Sequence, residues 1–304
     1  MSTYVTGRRW RNISRGSAFF VCFLAYVCAG FAAWFTLRHF AGWHPLASSA
    51  MADAAATVVI FAFSFTLANS SMYDPYWSVI PIVLAGYWGW VLAVPGVSFL
   101  RQILVFSLVA LWGLRLTYNW ARGWPGFDHE DFRYTLLREK TGPFYWLVSF
   151  SGIHMFPTFQ VFMGCVAIYP AMATSTRPFN WLDGVAAAVT LLGIAWETIA
   201  DQQLRNFRKQ SPPPEAILET GLWKYSRHPN YFGEMAFWWG LYLFGLASDP
   251  SYWKLALIGP GAITAMFVWI SLPMIDNRML RKRPHYEARM KNVSSIIPWF
   301  PASK

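Results

Sequence analysis

Apolar residues run through this chain in long blocks, and polar residues are confined to the stretches between them. A run of about 20 apolar residues is long enough to cross a bilayer as an α-helix. Eight such runs are predicted, at about 17–37, 52–70, 77–94, 100–121, 144–171, 181–204, 231–246 and 252–272. Pro95-Gly96 closes the third, and Pro157 predicts a kink in the fifth. The expected fold class is therefore all-α, a polytopic membrane helical bundle of about eight transmembrane helices with no room for a separate second domain. Arg8, Arg9, Arg11 and Arg15 precede the first run, as basic residues precede the apolar core of a signal peptide. This run is too long for a signal peptide and further spans follow, so it reads as a retained anchor.

Composition agrees with a lipid environment. The 304 residues are 55% hydrophobic and 13% charged, against about 25% charged in a typical soluble domain. Cys22, Cys28 and Cys165 all lie in apolar runs without metal-ligand spacing or a paired framework, which predicts small core residues. The net charge of +10 is spread over short loops, and points to a membrane surface or an anionic ligand rather than to nucleic acid. With eight spans, 20 of the 25 Lys and Arg fall on one side. Arg38, Arg101, Arg177 and Lys254 are spread one per loop on the other, and Arg115 lies inside a span. This asymmetry places both termini in the cytoplasm.

The densest polar stretch is Thr220–Gly240, TGLWKYSRHPNYFGEMAFWWG, which holds Lys224, Tyr225, Ser226, Arg227, His228, Asn230, Tyr231 and Glu234 before turning aromatic. Pro229 ends any incoming helix and sets the residue before it extended. Asn230, Tyr231 and Glu234 then fall on or near one face of a new helix. Cations followed by a helix N-terminus suit a phosphate or another anion; a solvated basic loop at the membrane edge has the same composition. Just upstream, Glu197, Asp201, Arg205 and Arg208 follow helical spacing, giving one polar stripe that is either a salt-bridge ladder or a ligand-facing surface. Arg115 must face the bundle interior or snorkel to an edge. Asp74 and Asp276 sit at span edges, where a cap or an interface is the ordinary role, and His154 reads as a hydrogen-bonded core residue. No HExxH, Walker loop, GxSxG or GxGxxG is present, which argues against the usual soluble nucleotide folds and hydrolase nucleophiles. A polar cluster over a membrane cavity suggests an enzyme acting on a lipid with a water-soluble cofactor.

GLWKYSRHPNYFGE followed by WWG resembles the C-terminal signature of the steroid 5-alpha-reductase family, particularly its bacterial branch. DPYWSV at Asp74, LWGLRL around Arg115, DQQLRNFR at Asp201 and the tail RKRPHYEARMKNVSSIIPW resemble it too. The likeness covers roughly 70–300, so that 1–50 forms a basic segment with an extra first helix and 51–304 a reductase-like domain whose cofactor half is about 181–304. The resemblance implies a membrane helical bundle that uses NADPH to reduce a carbon–carbon double bond conjugated to a ketone, in a steroid or related lipid entering from the membrane. It implies nicotinamide-end contacts at Asn230 and Glu234, further cofactor contacts at Asp201, Arg208 and Glu197, and a groove lined by Tyr225. Arg115 and the motif residues Arg227, His228 and Tyr231 complete the cofactor set. Asp74 stands near the place of a family glutamate that holds the substrate ketone. Trp112 stands where a family tyrosine would align, and Glu197 where the reductases have an amide. Hydride addition to an enone builds negative charge on the carbonyl oxygen, so a proton or strong donor there lowers the barrier. Asp74 is the candidate acid, with Tyr118, Tyr73 or Tyr76 as its partner and Tyr118 taken into the catalytic set. RHPNYFG also fits the RHPxYxG pattern of isoprenylcysteine-type and phospholipid-type methyltransferases that bind S-adenosylmethionine. A non-enzymatic lipid-binding protein is the third reading.

Overall fold

A computed structural model describes residues 13–128 and 130–302; the expected basic residues Arg8, Arg9 and Arg11 lie outside them. Every regular element among the described residues is helical. The chain forms two compact units, residues 1–92 with 112–162, and residues 93–111 with 163–304.

In the first unit, α1 (Arg15–His39) and α2 (Pro45–Thr66) lie against one another. Their buried faces are rich in small residues, Ala18, Cys22, Ala25 and Ala29 on α1 and Ala52 and Ala56 on α2. Small side chains let membrane helices approach closely, where dispersion and not water exclusion supplies the attraction. The link 67–75 contains one 3-10 turn, Ser71–Tyr73, and leads into α3 (Tyr76–Gly86), which continues as a π turn over Tyr87–Val91. Next comes α4 (Phe99–Gly123), whose C-terminal half belongs to this unit. The polar stretch between the fourth and fifth apolar runs contains a helix, α5 (Phe132–Thr141), started by Asp131, which accepts a hydrogen bond from the Arg133 N–H at 2.8 Å. The fifth apolar run is α6 (Tyr145–Val148), a π segment Ser149–Met155 and α7 (Phe156–Val166). The break falls just before Pro157, which has no N–H to donate back into the preceding turn.

In the second unit, α8 (Trp181–Lys209) and α9 (Pro229–Ser248) are followed by α10 (Trp253–Met266), α11 (Leu272–Lys282) and α12 (Tyr286–Asn292). A capping box between Asn180 and Asp183 begins α8. Asp183 also forms a fully buried bidentate pair with Arg101, Nε–Oδ1 and Nη2–Oδ2 both 2.7 Å, and Arg101 donates further to the carbonyls of Arg177 and Pro178. Arg101, which the sequence suggested was a loop charge, is thus an interior strut.

Among the described residues, five helical segments are long and apolar enough to cross a membrane: Arg15–His39, Pro45–Thr66, Phe99–Gly123, Trp181–Lys209 and Pro250–Lys282. The third and fifth predicted runs are helical but broken by π turns, and α9 carries Asn230, Glu234 and several Trp, Tyr and Gly residues that lower its mean hydropathy. Cys22 and Cys165 are buried as expected, whereas Cys28 is exposed on α1.

Candidate functional site

The crossing of α8 and α9 assembles the central part of the predicted cofactor set. It depends on glycine. A Cβ on Gly193 would come within 2.8 Å of the Gly233 carbonyl oxygen and the Phe237 nitrogen, and one on Gly233 within 2.7 Å of the Glu197 Cβ and the Gly193 carbonyl oxygen. Gly240 lies equally close to Thr190. Positions rising along α8 meet positions falling along α9, so the helices run antiparallel. Glu197, 5% exposed, is thereby pressed against the turn that carries Asn230 and Glu234. Glu234 is 7% exposed, and its Oε1 accepts from the Trp238 indole at 2.9 Å. The Asn230 Oδ1 is buried without a hydrogen bond. Along α8 the predicted stripe grades outward, with Glu197 buried, Asp201 and Arg205 half-buried and Arg208 exposed. Asp201 and Arg278 are both close enough to Arg208 to act on its charge.

The polar stretch before α9 is clamped by the tail. His228 is non-helical ahead of Pro229, at φ −138° and ψ 61°, outside the fully extended region expected of a residue before proline. The Arg227 and His228 amides donate to the carbonyls of Ser294 and Ser295 at 2.9 and 3.1 Å, and the Trp299 amide donates to the Tyr225 carbonyl at 2.9 Å. Asp276 on α11 gathers three side chains: His228 Nε2 at 2.9 Å, Arg227 Nη2 at 3.1 Å and the Tyr286 hydroxyl at 2.9 Å. Of the two ordinary roles expected at a span edge, a cap or an interface, Asp276 takes the second, as the hub of a buried ion-pair cluster. Gly221, at φ +60°, sits against the Gln203 side chain, whose Oε1 accepts from the Leu222 amide at 2.9 Å. The Tyr225 ring meets Phe300 edge-on, and the Tyr231 ring meets His228 and Phe267. One open cavity of about 650 Å³ lies beside this clamp, lined by Arg227 and by residues between Met290 and Ala302.

The remaining candidates belong to the first unit. Asp74 follows the 3-10 turn, and its Oδ1 accepts a hydrogen bond from the Tyr134 hydroxyl on α5. Burial pushes the Asp74 carboxyl up to about 7, with the Tyr134 hydrogen bond and the Arg133 charge pulling against it. The Tyr134 phenol is held well above its ordinary range, by burial first and by the Asp74 charge second. Tyr118, chosen as Asp74's partner, is 62% exposed, with the Arg122 guanidinium over its ring at 5.2 Å. The phenol at Asp74 is therefore Tyr134. Arg115 is half-buried on the same part of α4.

A second carboxyl–phenol pair was not singled out by sequence. Asp53, 4% exposed in the apolar α2, accepts from the Tyr76 hydroxyl at 2.7 Å, and its Oδ2 is buried without a hydrogen bond. It belongs to a polar face of α2. Ser49 accepts from the Trp88 indole, Thr57 meets Thr158, which also bonds the Tyr73 hydroxyl, and Ser64 meets His154. His154 has both ring nitrogens within hydrogen-bond distance of partners, Ser64 and the Ser149 carbonyl, as expected of a core histidine.

A helical membrane protein with a glycine-tight pair of helices, polar groups at their crossing and buried carboxyl–phenol pairs is the class these features define. The family described as "Protein of unknown function (DUF1295)" matches residues 60–293, and the chain belongs to that family. It is also 25% identical over 261 residues to a Schizosaccharomyces pombe protein described as "Uncharacterized protein C594.04c", an alignment covering 79% of this chain and 76% of that protein. No solved structure matches it.

Proposed function

We propose that the protein is a membrane oxidoreductase that reduces a carbon–carbon double bond conjugated to a ketone in a steroid-like or other lipid, with NADPH as its cofactor. It crosses the bilayer eight times with both termini in the cytoplasm, α3, the α6–α7 stretch and α9 completing the five longer spans. The reading is carried by one observation, the crossing at Gly193 and Gly233 that sets Glu197 against the turn bearing Asn230 and Glu234. These groups suit the polar end of a nicotinamide nucleotide. Carboxylates accept hydrogen bonds from a carboxamide NH₂ or from ribose hydroxyls, and the Asn230 Oδ1 has an acceptor position to offer. Two carboxylates alone would repel a pyrophosphate, so the phosphates belong with Arg208, at the outer end of the stripe, and Arg278 near it. When bound, NADPH supplies the hydride.

The proposed acid is Asp74. A carboxyl raised to about 7 is still substantially protonated near neutral pH, so Asp74 can share or give a proton to an oxygen that becomes negative in the reaction. Tyr134 holds that carboxyl in place. Asp53 with Tyr76 offers a second pair of the same chemistry.

The test is a thermal-shift titration of the purified protein in detergent with NADPH, NADH and S-adenosylmethionine, since a ligand of the folded state raises the midpoint. NADPH is expected to give the largest shift, and Glu234→Ala to reduce it. A shift with S-adenosylmethionine alone would assign the RHPNYFG stretch to a methyltransferase, and no shift with any of the three would leave a lipid-binding protein.

A further inference from the structure

Of the predicted cofactor residues, Arg227 alone lines the 650 Å³ cavity beside the tail. Its size is that of a small-molecule site. Lys291 and Asn292 stand on its wall at the end of α12, and Arg227 is 92% buried, with Nη2 on Asp276 and with Nε and Nη1 making no hydrogen bond. The rim is apolar and open: Ile297, Trp299 and Phe300 line the cavity with 66, 70 and 77% of their surface exposed. The cavity is tied to the end of a membrane-crossing segment. Pro250–Lys282 carries Asp276, which holds Arg227, and α12 begins four residues after Lys282. That stretch is cationic, with Arg278, Arg281, Lys282, Arg283, Arg289 and Lys291; of these Lys291 pairs with the exposed Glu287 at 2.8 Å, a contact a headgroup phosphate would have to compete with, and Arg289 pairs with Glu219 at 3.2 Å.

Exposed Trp and Phe beside Lys and Arg at the end of a span are the composition of a membrane–water interface. A cationic recess among them fits a negatively charged headgroup, whose phosphate gains most where several basic side chains lie within a Debye length. We propose that this cavity binds the phosphate headgroup of an anionic phospholipid from the adjoining leaflet, with Lys291 and Arg227 drawing the charge and Trp299 and Phe300 lying along the glycerol and upper acyl region. Because the same peptide that lines the cavity also bonds to Tyr225, Arg227 and His228, an occupied cavity holds that segment in place and stabilises the protein.

The full-length protein, purified in detergent, is titrated with dihexanoyl-phosphatidylglycerol, dihexanoyl-phosphatidylcholine, inorganic phosphate and NADPH, and its thermal midpoint is followed. Phosphatidylglycerol is expected to raise the midpoint at about tenfold lower concentration than phosphatidylcholine. Lys291→Gln combined with Trp299→Ala, both at exposed positions, is expected to weaken the phosphatidylglycerol response about tenfold and to leave any NADPH response unchanged. Phe300→Ala serves as an independent second variant with a smaller loss. Equal responses to the two lipids, or variants that respond to phosphatidylglycerol as the parent does, would overturn the proposal. So would displacement of phosphatidylglycerol by inorganic phosphate or NADPH, which would make the cavity a site for a soluble phosphate. An absent NADPH shift with the lipid preference intact would remove the reductase reading and leave this site standing.

Discussion

Asp74 and Asp276 both stand near the end of an apolar segment, and they are built into opposite kinds of surroundings. Asp276 has Arg227, His228 and Tyr286 around it, so its charge is matched inside the protein. Asp74 has the Tyr134 phenol as its direct partner, with Glu130 and Asp131 nearby as like charges and Arg133 as the opposing one. A carboxylate beside cations stays ionised and ties elements together. A carboxyl beside a phenol, starved of water, keeps its proton to a higher pH and has something to give. The difference teaches that in a chain poor in charges the partner, not the residue type or its distance from a span end, separates a fastening from a candidate reactive group.

The largest break in that contrast is expected at the fastening. Asp276→Leu strands the buried Arg227 guanidinium and removes the acceptor for His228 and Tyr286, and loss of one partner of a buried pair costs about 3–5 kcal/mol. Denaturant titration in mixed micelles should show that loss, whereas Asp74→Leu should cost clearly less. A second, smaller effect is expected at the helix crossing. Gly233→Ala places a methyl group against the Glu197 Cβ and the Gly193 carbonyl, and overpacking of this kind costs about 1–3 kcal/mol. The same variant should lose the NADPH thermal shift if the crossing holds the cofactor.

The third effect is a slope rather than a loss. The Asp74 carboxyl is raised from its ordinary value to about 7 in the folded protein, so the folded state binds more protons than the unfolded state over that interval. Its contribution is fully present below about 4, the unfolded value, and disappears as pH rises through about 7. Asp74→Asn should flatten the fall in stability between those limits, measured as thermal midpoints across a pH series. The smallest effect separates two tyrosines. Tyr134→Phe should alter that pH series because it removes the hydrogen bond on Asp74, whereas Tyr118→Phe, at a largely exposed side chain, should leave it within experimental error.

Much of the helical architecture could be read from the chain because bilayer crossing imposes a single requirement, an apolar run of sufficient length. The polar density of 220–234 was equally visible, and Pro229, expected to precede a new helix, is the first residue of α9. The partnerships were not visible, because each joins positions far apart in sequence. Asp276 meets residues 48 and 49 positions away, and Asp74 meets a phenol 60 positions on, in a stretch whose alternating charges and aromatics concealed a helix. Asp53 escaped notice for a different reason. Ser49, Asp53, Thr57 and Ser64 are diluted by alanine and large apolar residues in α2, so only a helical projection, with attention to hydroxyls as well as charges, would have drawn out the face they share.

The bonds from Ser294, Ser295 and Trp299 to the entrance of α9 also set an order for biogenesis. The helices of the second unit can enter the bilayer as they leave the ribosome, but the segment 225–228 cannot acquire these backbone partners until residues 294–299 have been translated. The fastening of that segment must therefore come after membrane insertion, and a premature stop codon shortly before Ser294 would yield a chain that keeps its long apolar helices but leaves 225–228 unfastened.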